Sequence, residues 1–170
     1  SHVDGPMRKE GTTGFDFPLG NLGVWARLGI GTPSSSTSFE AQYFFSSYSN
    51  TTSMANAPTP VFNNVSIKEY WNLTQYTGSG TVVVDLYWED ADRSRITDCS
   101  DLKLGRWNGS AWENTFNTSG TGTCSGAGSG YISSTIDATA FVGALTFASL
   151  STDATVNPLP IQLLSFEAKI

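Results

Sequence analysis

Five carboxylates crowd one short polar run, "WEDADRSRITDCSD" at 88–101. Calcium takes hard oxygen ligands from flexible loops, so Asp90, Asp92, Asp98 and Asp101, with Glu89 beside them, form a candidate calcium site. Their spacing is not that of an EF-hand, and Arg93 and Arg95 offset part of the charge. A solvated acidic loop without metal is the competing reading. A second chemistry rests on aromatic side chains, which can stack against sugar rings: Trp25, Trp107, Trp112 and Tyr87 are the candidates for glycan binding. In "RWNGSAW" (106–112) the "NGS" turn closes a hairpin that sets Trp107 and Trp112 against each other. The same two rings could equally serve to pin the hairpin by cross-strand stacking.

Catalytic arrangements find little to work with. The single histidine, His2, stands at the start of the chain, so a Ser-His-Asp triad has no base in a useful place. Asp85 and Glu89 share a strand face, but four residues along a strand separate them by roughly 13 Å, too far for paired-carboxylate glycoside hydrolysis. The chain reads as non-enzymatic.

Cys99 and Cys124 are the only cysteines. Two are too few for a structural zinc, and the spacing is not that of a redox motif. A disulfide is expected, with two buried thiols as the alternative. Closing a loop of about 25 residues removes roughly 3 to 4 kcal/mol of unfolded-state entropy, and such bonds persist in oxidising compartments.

The elements that must position these groups follow from composition. Only 14% of the 170 residues are charged and 12% are aromatic, with polarity supplied by Ser, Thr, Asn and Gly. That mixture suits strands joined by turns, within one domain spanning 1–170. The net charge of −6 and the lack of a basic stripe argue against nucleic acid. No apolar run is long enough for membrane insertion, and the absence of a signal segment makes the chain read as a module excised from a longer protein.

About nine strand candidates succeed one another, bounded by Gly, Pro, Asn or Ser. They are "GFDFPL" (14–19), "VWARLGI" (24–30), "SFEAQYFF" (38–45), "VSIKEYWNLTQY" (65–76), "TVVVDLYW" (81–88), "LKLGRW" (102–107), "YISSTI" (131–136), "FVGALTFASL" (141–150) and "IQLLSFEAKI" (161–170). The expected fold is all-β, a two-sheet antiparallel sandwich of jelly-roll or immunoglobulin-like form, with 157–170 a final strand leading towards a following domain. Alternation in "TVVVDLYW" assigns Val82, Val84, Leu86 and Trp88 to the core. The turn before it needs positive φ at Gly78 and Gly80. The stretch 46–64, rich in Ser, Asn and Pro, reads as a surface loop.

Two strands place charge on an apolar face. Glu69 alternates with Val65, Ile67, Trp71 and Leu73, and Arg106 with Leu102 and Leu104. A buried charge needs a partner, so a Glu69–Arg106 ion pair is expected, with Arg27 as alternative cation. A local bulge giving Glu69 access to water would serve as well.

The segments "VDGPMRKEGTTGFDFPLGNLGVWARLGI", "AQYFF", "EYWNL", "DLKLGRWNGSAWEN" and "NPLPIQLLSFEAKI" occur in this order along nearly the whole chain. In them the chain resembles a module found towards the C-terminus of large secreted and cell-surface proteins of Bacteroidetes, ahead of further sandwich domains or the sorting domain of the type IX secretion system. The resemblance implies an extracellular or outer-surface location, neighbouring domains of the same polypeptide as partners, and a structural or adhesive role with no activity to assign to a residue. A carbohydrate-binding module that targets an attached enzyme to polysaccharide is the alternative. The acidic run at 89–98 departs from the polar Asn and Ser loop of that module.

Overall fold

Alternation of buried apolar and outward polar side chains, clearest in β10 (Thr81–Trp88), organises this molecule. The computed structural model describes residues 1–115, 120–137 and 142–158. Its chain order is β1 (Val3–Asp4), β2 (Met7–Gly11), β3 (Phe15–Phe17), β4 (Leu19–Asn21), β5 (Val24–Trp25), β6 (Leu28–Ile30), β7 (Thr37–Phe44), β8 (Asn64–Val65), β9 (Tyr70–Thr77), β10 (Thr81–Trp88), a single-turn helix α1 (Ala91–Ser94), β11 (Leu102–Trp107), β12 (Trp112–Asn114), β13 (Thr121–Gly122), β14 (Gly130–Asp137) and β15 (Val142–Ser149).

The fold is an all-β sandwich. One layer is a five-stranded sheet ordered β13-β14-β10-β6-β3; the other runs β12-β11-β15-β9-β7-β2, with β8 also paired to β15. Pairing within both layers is antiparallel, and a small β1-β4-β5 sheet contains the parallel pair β1–β4. The expected core face of β10 is realised: Val82, Val84, Leu86 and Trp88 are all buried. They meet Phe39, Tyr43, Trp71, Leu73, Leu104 and Phe147 from the facing layer. Two large sheets that each hide one apolar face exclude water by packing those faces together.

Several expected strands divide. "GFDFPL" breaks at Pro18, which has no N–H for a ladder, so β3 and β4 enter different sheets. "VWARLGI" breaks at Ala26 and Arg27 for the same two sheets. In the longer run at 65–76, Val65 joins a cluster on the outer side while Trp71 and Leu73 enter the core. The expected closing strand at 161–170 lies outside the described residues.

The turn before β10 is as anticipated, with φ of 90° at Gly78 and 105° at Gly80. A side chain at Gly78 would press to 2.7 Å from the Ser36 carbonyl oxygen. The stretch 46–64 is more than a surface loop. It lies along the outer face of the larger sheet, where Phe62 is buried and Met54 bridges Trp112, so that Phe62, Val65, Trp112, Ala144 and Ala148 form a second apolar cluster.

Candidate functional site

The acidic run and the cysteines are built into one structural corner. Cys99 and Cys124 form a disulfide with Cα atoms 5.5 Å apart. Beside it, the Trp88 indole donates to the Thr123 carbonyl at 3.0 Å, and the Gly120 amide donates to the Cys99 carbonyl at 2.8 Å. A Cβ at Gly130 would fall 2.3 Å from Trp88 Cζ2, so the loop closes over that ring only because residue 130 is glycine.

The carboxylates here are committed to backbone. Asp90 caps α1, its Oδ1 accepting from the Arg93 amide at 2.9 Å. Asp98 accepts from the Ser100 hydroxyl and amide, which draw its carboxyl below the usual range. Asp101 accepts from the Ser149 hydroxyl, the Leu150 amide at 3.1 Å and the Asn157 side chain at 2.9 Å. Asp92 is exposed. Among the described residues, no three His, Cys, Asp or Glu side chains gather to hold a metal, so the structure does not bring the expected calcium ligands together. Asp90, Asp98 and Asp101 each accept from their own local donors.

Asn157 completes this corner. Its φ is 41° and it is fully buried. Its Oδ1 accepts from the Thr97 amide at 2.8 Å and the Asp98 amide at 2.9 Å, while Nδ2 donates to the Asp98 carbonyl at 2.8 Å. Its own amide donates to the Thr97 hydroxyl. Asparagine tolerates left-handed backbone and carries both donor and acceptor, so one side chain fastens the segment ahead of Pro158 to the 97–101 loop.

The expected Glu69–Arg106 ion pair is also corrected. Arg106 lies directly across the ladder from Glu113 and bonds it through Nε at 2.8 Å and through Nη2. Arg27, the alternative, bonds Glu89 at 2.7 Å. Cross-strand register brings Glu113 opposite Arg106, one step beyond the Trp107–Trp112 pair of the same hairpin. Glu69 is instead buried against Tyr43, whose hydroxyl donates to Oε2 at 2.6 Å. Its Oε1, Ser94 Oγ and Arg93 Nε are buried without a well-formed hydrogen bond to protein. Burial pushes the Glu69 carboxyl above its ordinary range, against the opposing pull of Ser94, Tyr43 and Arg93. Burial together with Glu69 raises Tyr43 as well.

The four aromatic candidates separate into two places. Trp107 and Trp112 face each other across the β11–β12 hairpin, ring centroids 5.5 Å apart, and Tyr48 packs on both. Trp112 is fully buried, and its indole donates to the Asn50 carbonyl at 2.7 Å. These rings pin the hairpin and the 46–64 stretch. Tyr87 lies on the outer side of the five-stranded layer, and Trp25, from the β1-β4-β5 sheet, is joined to it by the Arg27 guanidinium, which sits 5.2 Å from the Trp25 centroid and 4.1 Å from that of Tyr87. Glu89 holds this arginine charged. Tyr131, opposite Tyr87 in the ladder with centroids 5.6 Å apart, extends the group. Nothing in the sequence alone marks Tyr131; once β10 and β14 are paired, its parity makes it the cross-strand neighbour of Tyr87.

Two concave features among the described residues gather no reactive set. A solvent-open hollow of about 620 Å³ is lined by Thr51, Thr52, Met54, Asn64 and Thr152 among others, with Asp153 its one acid. A second is lined by Arg106 and Glu113, which already bond each other. His2 lies over Gly20, where an added Cβ would be 2.2 Å from its ring. Comparison of the chain with protein-family profiles, with curated proteins and with solved structures finds no match in any of the three.

Proposed function

We propose that this chain is a non-enzymatic extracellular module that joins the passenger region of a larger secreted or surface protein to its C-terminal domains, as in the Bacteroidetes proteins whose module the sequence resembles. One observation carries the reading. The segment leading into Pro158 is clamped by Asn157 to the same corner that the disulfide and the Asp101–Ser149 bond secure. A linking module must transmit position from its body to the chain beyond it, and several converging bonds at that point, made by the buried Asn157 side chain, do so.

The use of the polar groups supports this role. Asp90, Asp98 and Asp101 hold backbone, Arg106 and Arg27 hold strands, and Trp112 holds a long connection. The disulfide favours an oxidising surrounding. The test is protease shaving of intact producing cells and immunodetection of the module. Release from the surface, or presence in the medium, is expected; confinement to the cytoplasm would refute the placement.

A further inference from the structure

The outer face of the five-stranded layer carries two rungs of side chains in register. One rung runs Arg27, Tyr87, Tyr131, since the Tyr87 amide donates to the Arg27 carbonyl and Tyr87 pairs with Tyr131. Trp25 closes its far end, across the Arg27 guanidinium. The next rung runs Asp16, Gly29, Asp85, Ser133, each the direct ladder partner of its neighbour. A strand step of two residues sets the rungs roughly 7 Å apart.

Exposure distinguishes the two ends from the middle. Trp25 is 42% exposed and Tyr131 37%, while the Arg27–Tyr87 stack between them is half-buried. The ends thus present two open ring surfaces, separated by a cation already stacked on Tyr87 and bonded to Glu89 at 2.7 Å. On the second rung, the Ser133 hydroxyl donates to Asp85 Oδ1. A Cβ on Gly29 would meet Asp16 Oδ1 at 2.8 Å and Tyr87 Cε2 at 3.3 Å, so glycine leaves the floor between the rungs low. Isolated exposed apolar residues mean little, but rings that converge with a row of fixed polar atoms form a surface with chemistry.

We propose that this face binds neutral β-linked polysaccharide, with pyranose rings stacked on Trp25 and Tyr131 and their hydroxyls bonded to the Asp85–Ser133 rung. The choice of ligand rests on what the face has left to offer. The cation site over Tyr87 is filled by Arg27, so a basic ligand finds its best position occupied. Asp16, Asp85 and Glu89 outnumber Arg27 and Arg93, the latter reaching the Trp25 carbonyl, so an anionic polymer is disfavoured. What remains is apolar ring surface, carboxylate lone pairs and a hydroxyl, which suit the C–H face and the vicinal diols of a sugar. The open sheet suits an extended β-linked ribbon, which presents flat ring faces. Two separated platforms require a chain longer than a disaccharide. The linking role above does not depend on this face.

Affinity electrophoresis of the folded protein in gels containing mixed-linkage β-glucan, neutral xylan or glucomannan, with alginate and glycol chitosan as charged controls, tests the proposal. Retardation by at least one neutral polymer and by neither control is expected, with hexaoses of that polymer binding at least tenfold tighter than bioses. Trp25→Ala and Tyr131→Ala should each weaken retention at least tenfold without moving the unfolding midpoint. Should either lower the midpoint, Asp85→Asn, which keeps side-chain shape, carries the same expectation. Mobility unchanged by all three neutral polymers, retention undiminished in these variants, or retardation by a charged polymer alone would overturn it.

Discussion

Asn157 Nδ2 lies 2.9 Å from Asp101 Oδ2, and this bond ties the end of the described chain to the loop that leads into β11. The same side-chain amide satisfies three backbone groups of Thr97 and Asp98. Removing it strips these part-buried groups of their partners around a fully buried side chain, which costs more than the bonds themselves contribute.

Asn157→Ala should therefore lower stability by about 2 to 4 kcal/mol in urea unfolding. Asn157→Gly, which relieves the left-handed backbone but not the lost bonds, should recover less than half of that. Hydrogen exchange at the Thr97 and Asp98 amides should quicken in both variants while β10 amides stay protected.

Reduction of Cys99–Cys124, or replacement of both by serine, should cost about 3 kcal/mol without changing the sheet content seen by circular dichroism. Trp88 emission should shift to the red as the loop over it loosens, because the Thr123 carbonyl no longer holds the indole in place.

Glu69 sets a pH dependence. Its folded-state carboxyl titrates above the unfolded one, so the folded chain binds the proton more tightly. That contribution to stability is complete below about pH 4 and is lost as pH rises from the ordinary carboxylate range through the raised value. Unfolding free energy should fall as pH rises out of the ordinary carboxylate range in the native chain, and the fall should be missing in Glu69→Gln.

The two groups of aromatic residues should respond differently to truncation. Trp112→Ala removes a fully buried ring and its bond to Asn50, and should cost about 3 to 5 kcal/mol. Trp25→Ala, at an exposed position, should stay within about 1 kcal/mol of the native chain in the same measurement.

Period-two patterning makes the layers legible without coordinates. Val82 to Trp88 alternate without interruption, and the glycines at 78 and 80 permit the turn that a hairpin there requires. Pairing is not legible in this way. Arg106 needs a partner, and the hairpin that sets Trp107 against Trp112 already puts Glu113 opposite it; what stays hidden is that β11 and β9 are not neighbours, a property of the whole sheet. The same holds for Tyr131, unremarkable in "YISSTI" until β14 is laid beside β10. The acidic run misleads for a related reason: local carboxylate density resembles a cation site, whereas helix capping and turn formation consume carboxylates singly. Short strands such as β1, β12 and β13 carry too few alternating residues to stand out. Asn157 is hidden because, in sequence, a buried asparagine looks like any other asparagine before proline.

The central claim is that this module positions its neighbours and takes no part in their chemistry. The direct measurement is deletion of the segment coding for it from the full-length gene, with two assays on the passenger: its retention on intact cells or intact release, and its own specific activity after purification. The account predicts that retention or intact release is lost while specific activity is unchanged. Loss of specific activity with localisation preserved would contradict it.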